Sequence, residues 1–168
     1  HMVYPALMAA AVGELYGMTG EEITRGVKNF LPTKMRMNVM RLPGDVVVLN
    51  DAYNANPQSM RAAAAVLGDA KDRRKVAIVG DMLELGPSSD LFHRAVGQSF
   101  GEMGTDCLIA VGELARYLAE GAREAGMGQV YRFDTLEQAM PIILEQLRPG
   151  TTILVKASRM MKFERIVE

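Results

Sequence analysis

The 168 residues hold a single cysteine, Cys107, so no intramolecular disulfide can form. It sits in the apolar run CLIAVG, where a buried thiol is expected rather than a nucleophile. Neither sign of charge is in excess: 19 Lys and Arg against 20 Asp and Glu leave a formal net charge of -1. Nucleic acid is not expected as a partner, because its binding rests on clustered cations. No apolar run approaches the roughly 20 residues that cross a bilayer, and no signal peptide is visible. We expect no membrane insertion and a cytoplasmic location. Two phosphate-binding signatures are also missing, the G-x-x-x-x-G-K-[ST] loop and a G-x-G-x-x-G after the first strand. If the protein uses ATP, something outside this chain must hold the triphosphate. His93 has no second ligand at i+4, so no metal site is expected there, and a structural, partner-bonded histidine is the reading. There is no internal repeat and no low-complexity segment. The chain opens on His1-Met2 rather than on a start methionine, which we read as the mark of a fragment.

The composition, 49% hydrophobic and 23% charged, is that of an ordinary globular protein, long enough for one well-buried domain with a smaller appendage. Helix formers run from Tyr4 to Met18, with Pro5 tolerable only in a first turn. Thr19 and Glu22 have the spacing of a capping box for a second helix reaching about Phe30, which Pro32 ends. The basic segment from Thr33 to Arg41 reads as a connector, with a domain boundary near residue 40. After Pro43-Gly44 strands and helices alternate. Strands are predicted at Val46 to Leu49, Lys75 to Val79, Cys107 to Val111, Val130 to Phe133 and Thr151 to Val155. Helices are predicted from Pro57, capped by Asn56, from Ser89, from Glu113, after Asp134 as a cap, and as a short amphipathic segment with Met160, Phe163 and Val167. Near-continuous apolar strands separated by helices imply an α/β fold: a Rossmann-like, mostly parallel sheet with helices on both faces, preceded by a short helical segment.

Three strand ends carry chemistry. The run VVVLNDAYNANPQSM delivers Asp51, Asn54 and Asn56 to a helix entrance, and in open α/β sheets the crevice outside the carboxyl ends of the strands is where ligands bind. A carboxylate there suits ribose hydroxyls or a metal, and the two amides suit an anion or simply turn and cap contacts. Gly80-Asp81 with Glu84 is a second acidic end, with Asp81 read as a structural cap. Lys156, Ser158 and Arg159 follow the last strand and form a cationic, hydroxylic cluster suited to a carboxylate or phosphate.

The segments NDAYNANPQSM, VAIVGDMLELG with His93 after it, and ILVKASRMMKFERIV closely resemble, in order and spacing, the C-terminal part of the Mur ligases of peptidoglycan precursor synthesis. The segment HMVYPALMAAAV resembles the histidine-asparagine helix near the end of that family's central domain, and Lys34 to Met37 the linker that carries a family arginine. The resemblance implies residues 1–40 as a helical remnant of the central ATP-binding domain and linker, and 41–168 as the C-terminal Rossmann-like domain. It implies ATP and Mg2+, both bound mainly by the central domain. The motif Asp-x-Tyr-Asn-Ala-Asn-Pro points within the family to the reaction that adds D-Ala-D-Ala to a UDP-MurNAc-tripeptide through an acyl phosphate. By the same resemblance Arg36 contacts ATP phosphate, Asp51 the ribose, and Asn54 and Asn56 shape that nucleotide-facing loop. Lys156, Ser158 and Arg159 lie on the face that receives the dipeptide. No complete catalytic set falls within the chain, which is expected to be monomeric and inactive alone. Two departures stand out: Met2 and Pro5 occupy positions where the family often has asparagine, and Ala157 replaces a usual glycine.

Two other readings fit the strand-end residues. Asp51, Asp81 and Lys156 at strand ends also resemble the acidic pocket and lysine of a receiver-like phosphoacceptor module, although there the acceptor follows the third strand. The same domain of another Mur ligase or of a folate ligase is the third reading, against which the Tyr-Asn-Ala-Asn-Pro run argues.

Overall fold

In the computed structural model, which describes residues 3–31 and 33–167, the chain divides into two compact units, His1–Thr33 and Lys34–Glu168. His1, Met2 and the helix-ending role of Pro32 lie outside the described residues. In the first unit, helix α1 spans Val3–Leu15 and α2 spans Gly20–Lys28. The helix predicted to reach Met18 stops three residues earlier, because Gly17 turns the chain with φ +74°. The capping box forms as its spacing predicts: the Thr19 hydroxyl accepts from the Glu22 N–H at 3.3 Å, and the Glu22 carboxylate accepts from the Thr19 N–H at 2.8 Å. The Thr19 N–H and the Thr19 hydroxyl, both donating to the carboxylate, lower the carboxyl pKa of Glu22.

The second unit is built on a six-stranded sheet, numbered along the chain as β1 Asn38–Leu42, β2 Val46–Asn50, β3 Arg74–Gly80, β4 Cys107–Val111, β5 Gln129–Phe133 and β6 Thr151–Lys156. Their order across the sheet is β1-β2-β6-β3-β4-β5, with β2 to β5 and β6 parallel and β1 antiparallel to β2. All five predicted strands are present, and β1 is an addition. Asn38 to Arg41, in the segment read as a connector, are instead strand residues paired with β2. Val39 and Arg41 face solvent, so the strand shows the alternation of a half-exposed edge instead of a continuous apolar run.

Alternate residues of each buried strand feed two cores. Val47, Leu49, Ala77, Val79, Leu108, Ala110 and Leu154 face helices α3 (Pro57–Gly68), α4 (Ser89–Glu102) and α5 (Ala115–Glu124). Val48, Val76, Ile78, Ile109, Ile153 and Val155 face α6 (Leu136–Glu145) and Phe163. Helices therefore cover both faces, as the sequence pattern predicts. Two local readings change. Thr135, not Asp134, caps α6, its hydroxyl accepting from the Gln138 N–H, while Asp134 pairs with Arg132 at 2.5 Å. The terminal amphipathic helix is two 3-10 turns, Arg159–Met161 and Phe163–Ile166, separated by Lys162 in the left-handed region at φ 54°. Phe163 is fully buried against Gly80, where an added Cβ would stand 2.6 Å from the ring.

The chain order creates a crevice. Strand β6 lies between β2 and β3, and the chain leaves β2 and β3 toward the α3 and α4 face but leaves β6 toward the Phe163 face. Chains that part to opposite faces of neighbouring strands open a gap at the strand ends. The three polar strand ends of the sequence meet there.

Candidate functional site

Asp51 stands one residue beyond β2 and takes its place in the sheet edge by donating its own N–H to the Val155 carbonyl at 2.9 Å. Its carboxylate is held from two sides. Oδ1 accepts from the Met37 N–H at 2.9 Å, and Oδ2 meets the Lys156 ammonium at 2.5 Å. The ammonium also donates to the Asn54 carbonyl at 2.8 Å. Lys156 is only 2% exposed, so this ion pair is largely shielded from water.

The loop after Asp51 is fixed by local bonds. The Asn54 side-chain oxygen accepts from the Ala55 N–H at 2.9 Å. Asn56 caps α3, its side-chain oxygen accepting from the Ser59 N–H at 2.8 Å while the Ser59 hydroxyl oxygen accepts from the Asn56 N–H at 3.1 Å. Both asparagines thus make the turn and cap contacts that were one of their two readings. The segment before β1 packs on the same loop: the Tyr53 N–H donates to the Met35 carbonyl at 3.1 Å, and the Arg36 guanidinium lies 4.1 Å from the centre of the Tyr53 ring. Met35 and Met37 flank Arg36 with φ of 60° and 51°, a left-handed pair that these bonds hold in place. Neither the edge strand nor this clamp was visible in the sequence. What pointed to Arg36 in the sequence was the resemblance of Lys34 to Met37 to a family linker, which carries no information about the strand or the clamp.

The other two strand ends tie to each other. Ser158 donates its N–H to the Asp81 carbonyl at 3.0 Å, and its hydroxyl oxygen accepts from the Leu83 N–H at 2.9 Å. Ala157 is buried and does not have positive φ, so the residue that stands in place of a glycine carries no backbone strain. Arg159, half exposed, pairs with Glu164 at 2.9 Å and reaches the Met35 sulfur at 3.5 Å. Of the three residues expected at a dipeptide-facing edge, Lys156 and Ser158 are buried and engaged, and Arg159 is the one on the surface.

Asp81 is 5% exposed, and burial pushes its carboxyl pKa up, against the opposing pull of the Leu114, Ala115 and Glu113 peptide N–H groups and of His93. Gly112, at φ +129°, leaves it room: an added Cβ would stand 2.4 Å from Oδ1. This carboxyl faces the start of α5 with its Oδ1 buried and without a hydrogen-bond partner, and at 5% exposure it is closed to an approaching phosphoryl donor. His93 receives the Met82 N–H on Nε2 at 2.9 Å, so the proton sits on Nδ1, which donates to the Ser89 carbonyl at 2.6 Å. Burial lowers its pKa, while the Ser89 bond and the charges of Asp81 and Asp90 act the other way.

A folded-state pKa below the unfolded one makes neutral His93 a stabilising group above the unfolded value, lost as pH falls through the depressed folded value. Asp81, with its pKa raised, has the opposite sign in its own, more acidic window. Thermal melts between pH 7.5 and 5.5 should therefore show a falling midpoint in the native chain, and His93→Gln should flatten that fall. A slope unchanged by the substitution would contradict the assignment.

Among the described residues, no three His, Cys, Asp or Glu side chains converge as a metal site, and no helix is long and apolar enough to cross a membrane.

The model of the family described as Mur ligase, glutamate ligase domain, matches residues 35–159. The UDP-N-acetylmuramoyl-tripeptide--D-alanyl-D-alanine ligase of Bacillus subtilis is 32% identical over 170 residues, covering 100% of this chain and 37% of that protein. The enzyme of the same name from Escherichia coli is 34% identical over 169 residues, covering 99% of this chain and 36% of the relative. A crystal structure of MurF from Acinetobacter baumannii superposes with a TM-score of 0.85 at 33% identity, over 96% of this chain and 36% of that one. The chain thus spans a little over a third of the length of the relatives it matches.

Proposed function

The chain belongs to the Mur ligase family, and from that premise we propose that it acts as the C-terminal domain of an ATP-dependent ligase that joins D-Ala-D-Ala to a UDP-MurNAc-tripeptide. The observation that carries the reading is the meeting of Asp51, Arg36 and Arg159 around one sheet crevice, inside a chain that is similar along its whole length to enzymes named for that reaction.

In this reading the terminal carboxylate of the tripeptide takes the γ-phosphoryl group of ATP and ADP leaves. The amine of D-Ala-D-Ala then displaces phosphate from the acyl phosphate, forming the amide and releasing a proton. The chain's own part is to bind and orient. Asp51 offers carboxylate oxygens to the ribose hydroxyls. Arg36, whose guanidinium rests on the Tyr53 ring, turns from that ring to the phosphates. Asn54 and Asn56 set the shape of the loop between them. Arg159 is the natural bidentate partner for the dipeptide carboxylate, with Lys156 and Ser158 behind it. The nucleotide fits this edge chemically, since a strand-end carboxylate, a stacked arginine and a helix entrance are the groups that ribose and phosphate seek. Mg2+, when bound with ATP, neutralises phosphate charge. We assign it, with most of the triphosphate, to the rest of the ligase, and we assign residues 1–33 to its central domain, the boundary near residue 40 moving back because β1 belongs to the sheet of the second unit.

The test is a ligation assay with ATP, UDP-MurNAc-tripeptide and D-Ala-D-Ala. The full-length ligase should form the pentapeptide product, and the 168-residue chain alone should form none. Robust turnover by the chain alone, or ligation of a different amino acid in preference to the dipeptide, would refute the reading.

A further inference from the structure

Lys156 is the most deeply buried charged side chain at the crevice, and both hydrogen-bond partners of its ammonium belong to the Asp51 loop. Its ammonium spans from the Asp51 carboxylate, 105 positions away in sequence, to the Asn54 carbonyl. At 2% exposure it has no face to offer a ligand arriving from solvent. The opposite oxygen of Asp51 is fixed by the Met37 N–H, so the carboxylate plane is set by one contact on each side. A carboxylate has about four lone-pair sites, and two contacts leave the outward ones free in a defined direction. Because Lys156 ends β6 and Asp51 follows β2, paired strands in the parallel sheet, the tie joins rigid elements instead of mobile loops.

We propose that Lys156 is a positioning residue: it aims the Asp51 carboxylate and the Asn54 turn at the nucleotide, and it does not contact the incoming dipeptide. The proposal rests on the reading of Asp51 as a nucleotide-facing group. It divides the Lys156, Ser158 and Arg159 cluster into an inner cation that serves the nucleotide wall and an outer one, Arg159, left for the dipeptide.

The experiment uses the full-length ligase and reads the KM for ATP and the KM for D-Ala-D-Ala separately in Lys156→Met, Lys156→Arg, Asp51→Asn and the Asp51→Asn/Lys156→Met pair. Loss of one charge-assisted contact should raise the KM for ATP roughly tenfold in Lys156→Met and leave the KM for the dipeptide unchanged. Lys156→Arg, which keeps the charge, should recover part of the ATP effect and also serves if the methionine variant does not fold. The pair should be no worse than Asp51→Asn alone, because Lys156 acts through Asp51. A raised KM for the dipeptide, or additive effects in the pair, would overturn the positioning role while leaving the nucleotide reading intact. An unchanged KM for ATP in Asp51→Asn would overturn the nucleotide reading and the proposal with it.

Discussion

Gly121→Ala is expected to lower the stability of the second unit by about 3 kcal/mol and its melting midpoint by roughly 10 °C, with Gly97→Ala close behind. The two helices that carry these glycines cross at backbone contact. A Cβ on Gly121 would lie 2.0 Å from the Arg94 carbonyl oxygen, and one on Gly97 would lie 2.0 Å from the Leu118 carbonyl oxygen. Neither obstacle is the end of a flexible side chain, so α4 and α5 must move apart. Separation would loosen Val96, Phe100, Leu118 and Ala122, all fully buried in the same core. It would also pull Arg94 from Glu120 and Glu124, the ion pairs that bridge the crossing. Alanine is the better helix former by about 1 kcal/mol, but that gain is smaller than the cost of overpacking. Gly128→Ala, where nothing lies within 4 Å, is the control and should stay within about 0.5 kcal/mol of the native chain. Equal melting of all three variants would show that the close crossing is absent in solution.

The second large effect is at Asp51. Removing its carboxylate leaves the Lys156 ammonium, with a side chain only 3% exposed, facing a single carbonyl. Breaking a shielded pair from one side costs about 3 kcal/mol or more, whereas replacing both partners by apolar groups of similar size is often neutral. Asp51→Leu should therefore destabilise strongly, and Asp51→Leu with Lys156→Met should regain most of the loss. Activity is expected to part company with stability. If Asp51 holds the ribose, both variants of the full-length ligase lose on the order of 100-fold in kcat/KM for ATP, as removal of a charged hydrogen-bond partner would give. Denaturant unfolding and steady-state kinetics on the same three proteins check this. Recovery of activity along with stability would mean that Asp51 serves the fold alone.

Much of the architecture could be read from the apolar runs alone. Val46 to Leu49, Cys107 to Val111 and Thr151 to Val155 are buried on both faces, so they read as unbroken hydrophobic stretches, and Asn56-Pro57 marks a helix start by local chemistry. Strand β1 escaped because only one of its faces is even half-buried and Arg41 interrupts its run. Lys162 adopts a left-handed conformation that nothing in its type announces, so a helix was expected where two short turns form. Single glycines in helices look like mild defects in a sequence, and only the packing of Gly97 and Gly121 reveals why they are there. At the site, the order of the motifs pointed to Asp51, Lys156 and Arg159 sharing one edge. Which cation turns inward is decided by the sheet register, which pairs Asn50 with Val155 and brings Lys156 level with the Asp51 loop.

The central claim is that the edge carrying Asp51 is one wall of a nucleotide site completed by the rest of the ligase. A crystal structure of the full-length protein with a non-hydrolysable ATP analogue tests it most directly. The expected result is a ribose hydroxyl within about 3 Å of an Asp51 carboxylate oxygen, with Lys156 still paired behind it. A well-ordered nucleotide in the closed enzyme that leaves the Asp51 edge bare would contradict it.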